Sequence, residues 1–239
     1  MLEVTDVQSY YGGAHVLRGV CLTVPDGKVV ALLGRNGMGK TTLIRSIMGT
    51  TPPTVRSGAI LYNGEELLGK TPHDIARRGL GLVPQGRRVF ASLTVIEHLT
   101  VAARAPRHQS DTRVNWNLES VFELFPRLAE RKGHRGSQLS GGERQMLAIA
   151  RALMTNPDLL LMDEPSEGLA PVMVQQLRER LRALKESGVP IFLVEQNVNL
   201  ALALADIVYI LERGQVVYQG QPEELAANHE IKRKYLGVA

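Results

Sequence analysis

Gly34-Arg35-Asn36-Gly37-Met38-Gly39-Lys40-Thr41 follows the pattern G-x-x-x-x-G-K-[ST]. Each residue type in it serves an anion. Glycines let the backbone curl so that successive N–H groups face phosphate oxygens. A helix beginning at the lysine would present its partly positive N-terminus to the same charge. Lys40 can reach terminal phosphates, the Thr41 hydroxyl can ligate Mg²⁺, and Thr42 completes the cradle. Leu159-Leu160-Leu161-Met162 then ends in two adjacent carboxylates, Asp163 and Glu164. Successive strand residues point to opposite faces, so the two carboxylates must do different work. Asp163 suits a Mg²⁺ shell, and Glu164 can face a water beside a γ-phosphate. A run like this alone is usually a solvated strand end; beside the phosphate loop it makes a nucleotide site. Leu139-Ser140-Gly141-Gly142-Glu143 is a third element. Ser140 and Glu143 have capping-box spacing, and Gly141 and Gly142 would let an anion approach closely. Read alone, it is more often an ordinary helix start than an anion site.

These residues need elements to hold them. Val29–Leu33 is a short apolar run before the glycine turn, which predicts a buried strand. Thr41 to Met48 predicts the helix behind it, stopped by Gly49. Asn63-Gly64 after Ile60-Leu61-Tyr62 is a hairpin signal, so antiparallel strands belong to the first third. Thr71-Pro72 opens a short helix, and Gly81–Pro84 reads as a strand. Thr94 with Glu97 forms a capping-box spacing, and Val114, Leu118, Val121, Phe122 and Phe125 recur at helical intervals up to Pro126. Residues 88–157 thus read as a helical insertion, its last helix turning Met146, Ile149, Ala150 and Leu153 inward. Strand runs resume at 159–162, 191–194 and 207–211, with a helix carrying Val174, Leu177, Leu181 and Leu184 between the first two. That alternation predicts a mostly parallel α/β sheet with right-handed crossovers.

Composition narrows the function classes. The 239 residues are 44% hydrophobic and 22% charged, which excludes overall disorder and a fibrous chain. Cys21 is the single cysteine, which excludes an intrachain disulfide and reads as a small buried hydrophobe in a reducing compartment. No apolar run is long enough to span a bilayer and no secretory leader is visible, so a cytosolic location is expected. The net charge of +4 points only weakly to an anionic partner.

In order, the phosphate loop (Walker A), Gln85 after a strand, Leu-Ser-Gly-Gly-Glu, and the Asp163-Glu164 strand (Walker B) resemble the ATP-binding subunit of ABC transporters over nearly the whole chain. The resemblance implies a P-loop NTPase (RecA-like) core, an antiparallel β subdomain and an inserted α-helical subdomain. The core would be residues 1–87 and 158–239, and the helical part 88–157, all within one ATPase domain over 1–239. It further implies ATP and Mg²⁺, with Tyr11 stacking on adenine, Gly34 to Thr42 around the phosphates, and Thr41, Gln85 and Asp163 near the metal. Glu164 would be the catalytic carboxylate, aided by Lys40, Gln85 and Gln196. Ser140, Gly141 and Gly142 would contact the γ-phosphate held by a second subunit, in a head-to-tail homo- or heterodimer.

Two positions depart from the family pattern. Gln196 stands where a histidine is usual, and Ala170 where an aspartate is usual. Gln196 can hydrogen-bond phosphate but cannot carry positive charge, so slower or partner-dependent hydrolysis is expected. Val-Glu-Gln-Asn at 194–197, Pro-Gln-Gly-Arg-Arg-Val-Phe at 84–90, Glu-Leu-Phe-Pro-Arg-Leu at 123–128 and Gly-Leu-Ala-Pro at 168–171 resemble one ATPase of branched-chain amino-acid importers. Urea or short-amide importer ATPases look similar, and a soluble ABC-type ATPase is the more distant alternative. The resemblance implies two membrane permease subunits, an indirectly coupled substrate-binding protein, and a peripheral place on the cytoplasmic face of the plasma (inner) membrane.

Other groups are set aside. His15, His73, His98, His108, His134 and His229 lack metal-ligand spacing. Arg131, Lys132 and Arg135 read as a solvated face, Trp116 as a packing residue, and Ile231–Leu236 as a plain C-terminal helix. With 5% aromatics and no interleaved basic pattern, nucleic acid is not expected as a partner.

Overall fold

The computed structural model describes residues 1–107 and 114–237, so His108 lies outside the described residues. In chain order the strands are β1 (Leu2–Tyr11), β2 (Ala14–Val24), β3 (Val29–Leu33), β4 (Thr54–Tyr62), β5 (Glu65–Glu66), β6 (Leu80–Val83), β7 (Leu159–Asp163), β8 (Ile191–Glu195), β9 (Ile207–Glu212) and β10 (Gln215–Gly220). The helices are α1 (Lys40–Ile47), α2 (Pro72–Arg77), α3 (Val95–Ala102), α4 (Leu118–Leu124), α5 (Pro126–Glu130), α6 (Gly141–Leu153), α7 (Pro171–Glu186), α8 (Val198–Leu204) and α9 (Pro222–Ala227).

One sheet has the order β10-β9-β3-β8-β7-β6. Its strands are parallel except for the edge pair β9–β10. Every residue of β3, β7 and β8 is buried, as continuous apolar runs covered on both faces require. Val30, Leu32, Phe192 and Val194 face α1 and the second sheet. Leu160, Met162 and Leu193 face α6 and α7. The second sheet, β2-β1-β4-β5, is antiparallel. Its Asn63-Gly64 turn takes positive φ at both residues, as a tight hairpin demands.

Between β6 and β7 lie α3 to α6. Thr94, Asn117 and Ser140 cap their helices with side chains. Three expectations need correction. The helix ahead of Pro126 begins only at Leu118, because Asn117 caps it there; Val114 lies outside it and is exposed. Cys21 is exposed, since the alternation of β2 turns Leu22 and Val20 inward and Cys21 outward. The C-terminal stretch is a single α-turn at His229–Ile231 followed by a wider π-type turn over Lys232–Leu236, not a regular helix. Trp116 is buried, as expected of a packing residue. No helix among the described residues is long and apolar enough to cross a membrane.

Asn156, in the turn between α6 and β7, pins both ends of the α3–α4 connection. Its side-chain carbonyl accepts from Trp116 N at 2.8 Å, and its amide donates to the carbonyls of Arg104 (2.8 Å) and Trp116 (2.9 Å). Asn156→Ala leaves those backbone groups unpaired in the interior. We expect a loss of about 3 kcal/mol in a urea unfolding titration.

Candidate functional site

The carboxyl ends of β3, β6, β7 and β8 lie along one edge of the parallel sheet, with α1 on one face and α7 on the other. Loops leaving such strands form a crevice where ligands of open α/β sheets bind. The phosphate loop leaves β3, Gln85 follows β6, Asp163 and Glu164 end β7, and Gln196 follows β8.

Arg35, Asn36 and Gly37 form the exposed crest of the loop, while Gly34, Gly39 and Lys40 are buried. Gly39 caps α1 at φ +103°, and a Cβ there would lie 2.9 Å from Leu17 Cδ2, so both conformation and space call for glycine. The amides of Gly39, Lys40 and Thr41 have no acceptor among the described residues, which leaves a helix start open to an anion. Met38 is tied down from the side: its carbonyl accepts from Gly214 N at 3.0 Å and its sulfur from Arg213 N at 3.2 Å.

Lys40 Nζ donates to the carbonyls of Gly34 (2.7 Å) and Arg35 (2.8 Å) and pairs with Glu164 Oε1 at 2.9 Å. Thr41 Oγ1 donates to Asp163 Oδ1 at 3.1 Å. Gln85 Nε2 donates to Glu164 Oε2 at 3.4 Å and to Glu167 Oε2 at 2.9 Å. Five residues singled out by type and spacing, Lys40, Thr41, Gln85, Asp163 and Glu164, therefore meet in one cluster. Asp163 and Glu164 do separate: Asp163 ends the strand, whereas Glu164 turns away at φ +48°.

The oxygens of Thr41 and Asp163 are hard donors, adjacent, and few in number. That set fits Mg²⁺, which keeps several waters and takes substrate phosphates rather than an all-protein cage. Accordingly, no group of three or more metal-ligating acidic, His or Cys side chains occurs among the described residues. Burial, and secondarily the charge of Glu164, push Asp163 up to about 6, against the pull of the Thr41 bond and of Lys40.

The remaining predicted residues stand apart. Tyr11, half-buried at the end of β1, accepts from Arg45 of α1 through its hydroxyl at 3.3 Å. Gln196 is exposed, and its side chain makes no hydrogen bond among the described residues. Ser140 caps α6: its Oγ accepts from Glu143 N at 3.2 Å and its own N–H donates to Glu143 Oε2 at 2.8 Å. Gly142 packs against α7, where a Cβ would overlap Met173 Cε at 2.0 Å. Ala170 occupies the N-cap of α7 without a side-chain bond, a position where an aspartate would cap.

Three functional candidates escaped the sequence reading. Arg87 donates to the Glu167 carbonyl at 2.6 Å and lies against Gly141 and Gly168. Glu167 receives Gln85. Glu195, 1% exposed, accepts from Ser166 and from the loop after β8, and burial pushes its carboxyl above the usual range despite those bonds. Its signal was present: Leu193-Val194-Glu195 ends an apolar strand with a carboxylate just as Leu161-Met162-Asp163 does.

A family model described as ABC transporter matches residues 17–167. The chain is 46% identical over 237 residues to the high-affinity branched-chain amino acid transport ATP-binding protein BraG of Pseudomonas aeruginosa, covering 99% of this chain and 100% of that one. The chain belongs to the ABC transporter family. Within that family it is of the ATP-hydrolysing type. It is also 34% identical to a probable branched-chain amino acid transport ATP-binding protein LivF of Archaeoglobus fulgidus (100% of this chain, 99% of that). Identity to the lipopolysaccharide export system ATP-binding protein LptB of Escherichia coli is 33% (99% and 97%). Among solved structures, a nucleotide-free ATP-binding cassette superposes with a TM-score of 0.82 at 23% identity, covering 100% of this chain and 99% of that one. An ATP-binding subunit of an ABC transporter superposes at 0.78 with 33% identity, covering 98% and 92%. The ABC fold, with its α/β core, antiparallel sheet and helical insertion, is thus shared over the whole chain.

The raised Asp163 carboxyl has a readable sign. Its folded value, about 6, exceeds the ordinary 3.8, so the folded state takes up its proton first and ionised Asp163 costs stability above about pH 6. Asp163→Asn should therefore raise the unfolding free energy by roughly 2–3 kcal/mol at pH 7.5. Chemical denaturation repeated near pH 4 should show most of that gain gone, because the native carboxyl is by then protonated.

Proposed function

We propose that this chain is the ATP-driven motor of an importer for branched-chain amino acids. The cluster of Lys40, Thr41, Gln85, Asp163 and Glu164 at one sheet edge is the observation that supports ATP hydrolysis. Phosphoryl transfer to water needs placement and charge neutralisation more than covalent help. Lys40 and the open amides of α1 would neutralise phosphate oxygens. Thr41 and Asp163, with Gln85 near them, would hold Mg²⁺, which supplies further charge neutralisation. Glu164, released from Lys40 when the ammonium turns to phosphate, would orient or deprotonate the attacking water. Tyr11 would stack on adenine, and Gln196 would stand at the γ-phosphate side. Ser140, Gly141 and Gly142 would complete the site of a second copy or a sister subunit in a head-to-tail pair.

Import of amino acids is supported by the 46% identity to BraG, against 33% to the export subunit LptB. In this reading residues 1–87 and 158–239 form the nucleotide-binding core and 88–157 the subdomain that carries Ser140. Two permease subunits would recruit the chain to the cytoplasmic face of the membrane, with a substrate-binding protein on the far side.

A groove of about 540 Å³ between the core and the helical insertion offers a place for the permease. Its floor includes Met48, Leu80 and Leu82, and its wall Arg77, Arg104 and Arg151. Arg151 is half-buried, has no ion-pair partner among the described residues, and is held below the ordinary arginine range by burial. An apolar helix bearing a carboxylate complements such a groove.

Two substitutions test the reading. Glu164→Gln should abolish ATP turnover in a phosphate-release assay while ATP binding and ATP-dependent dimerisation persist; full turnover would refute the assignment. Arg151→Glu should leave the ATPase of the isolated chain within about twofold but weaken co-purification with the permease at least about tenfold.

A further inference from the structure

Glu195 is the last residue of β8 and is nearly sealed from solvent, 1% exposed. A carboxylate there needs compensation for its lost hydration. It finds four donors, none of them charged. Oε1 accepts from Ser166 N at 2.9 Å. Oε2 accepts from Ser166 Oγ at 2.9 Å and from Gln196 N and Asn197 N, each at 3.0 Å.

These donors belong to two loops. Ser166 lies two residues past Glu164, in the loop that leaves β7; Gln196 and Asn197 open the loop that leaves β8. The first loop carries Glu164 at positive φ, and its Glu167 receives Gln85. Glu164 N also bonds the Val194 carbonyl at 2.9 Å, so the two strand ends are joined on both sides of the carboxylate.

We infer that Glu195 is a positioning residue for hydrolysis, which clamps the Glu164 loop to the Gln196 loop and so sets the catalytic carboxylate relative to the phosphate site. This rests on Glu164 acting as proposed above. Glu195 itself touches no reacting atom. Its contribution lies in holding Glu164 within the narrow geometry that water activation needs, where displacements of an ångström are costly. ATP affinity depends on the phosphate loop and α1, to which the Glu195 side chain makes no hydrogen bond.

The two oxygens make the test specific. In Glu195→Gln the amide oxygen can keep the bonds from Gln196 N and Asn197 N, but the NH₂ group then meets Ser166 N–H, donor against donor, and pushes Ser166 with its hydroxyl away. The β7 loop is released while the β8 loop stays held. Ser166→Ala removes the hydroxyl from the same clamp by a milder route. With the full-length chain in steady-state ATPase assays, we expect Glu195→Gln to lower kcat at least about tenfold with KM for ATP changed less than about twofold. Ser166→Ala should lower kcat about threefold, and the double variant should fall no further than Glu195→Gln, since both act on one contact. A kcat within about twofold of the unsubstituted chain, a KM that rises while kcat holds, or additive effects in the double variant would each overturn the inference. Should Glu195→Gln fail to fold, Ser166→Ala decides alone by the same split. Glu164→Gln serves as the control. If it still turns over ATP, the catalytic reading fails; if it is inactive while Glu195→Gln is fully active, only the clamp fails.

Discussion

A lysine ammonium buried at the start of a helix must be surrounded by oxygen, and Lys40 is. With side-chain exposure of 3%, it is held by two carbonyls of its own loop and by the carboxylate of Glu164. Taking both charges out of water costs several kcal/mol, which only close contact and extra hydrogen bonds can offset. The loop must therefore curl around the ammonium, and β7 must deliver Glu164 to it across β8. The strand order β3-β8-β7 and the positive φ at Glu164 bring the two groups together. Under the proposed function, phosphate oxygens would compete for the same ammonium, and the cation would pass from carboxylate to nucleotide without being left bare.

Much of this could be read from residue types. The phosphate loop, the strand ending in Asp163-Glu164 and the capped helix at Ser140 are local patterns with local causes, and the structure shows each as expected. The hairpin at Asn63-Gly64 was legible for the same reason, because two positive φ angles restrict which residues can stand there. Local pattern failed where tertiary context decides. The helical period over Val114 to Phe125 continues upstream of the place where Asn117, through its bond to Ser120, starts the helix. Cys21 belongs to a strand whose inward face is taken by its neighbours, which no property of a lone cysteine reveals.

The site was only partly legible for a similar reason. Lys40 and Asp163 announce themselves through neighbours in sequence, whereas Glu195, Glu167 and Arg87 matter through residues 29 to 82 positions away. A charged residue at the end of an apolar strand is an ambiguous sign until the sheet order is known. Here β8 lies between β3 and β7, so its last side chain emerges between the phosphate loop and the loop that leaves β7. The single donor–acceptor inventory of Ser166, Gln196 and Asn197 then gives that carboxylate its meaning.

Residues 85 to 87 grip Glu167 twice: the Gln85 amide donates to its carboxylate and the Arg87 guanidinium to its backbone carbonyl. That double hold makes a strut between the edge strand β6 and the segment leading to α7. A displacement of residues 85 to 87 is therefore handed directly to Glu167. Because Arg87 also lies against Gly141 and Gly168, the same strut braces the glycine-flanked start of α6 against the turn that leads into α7.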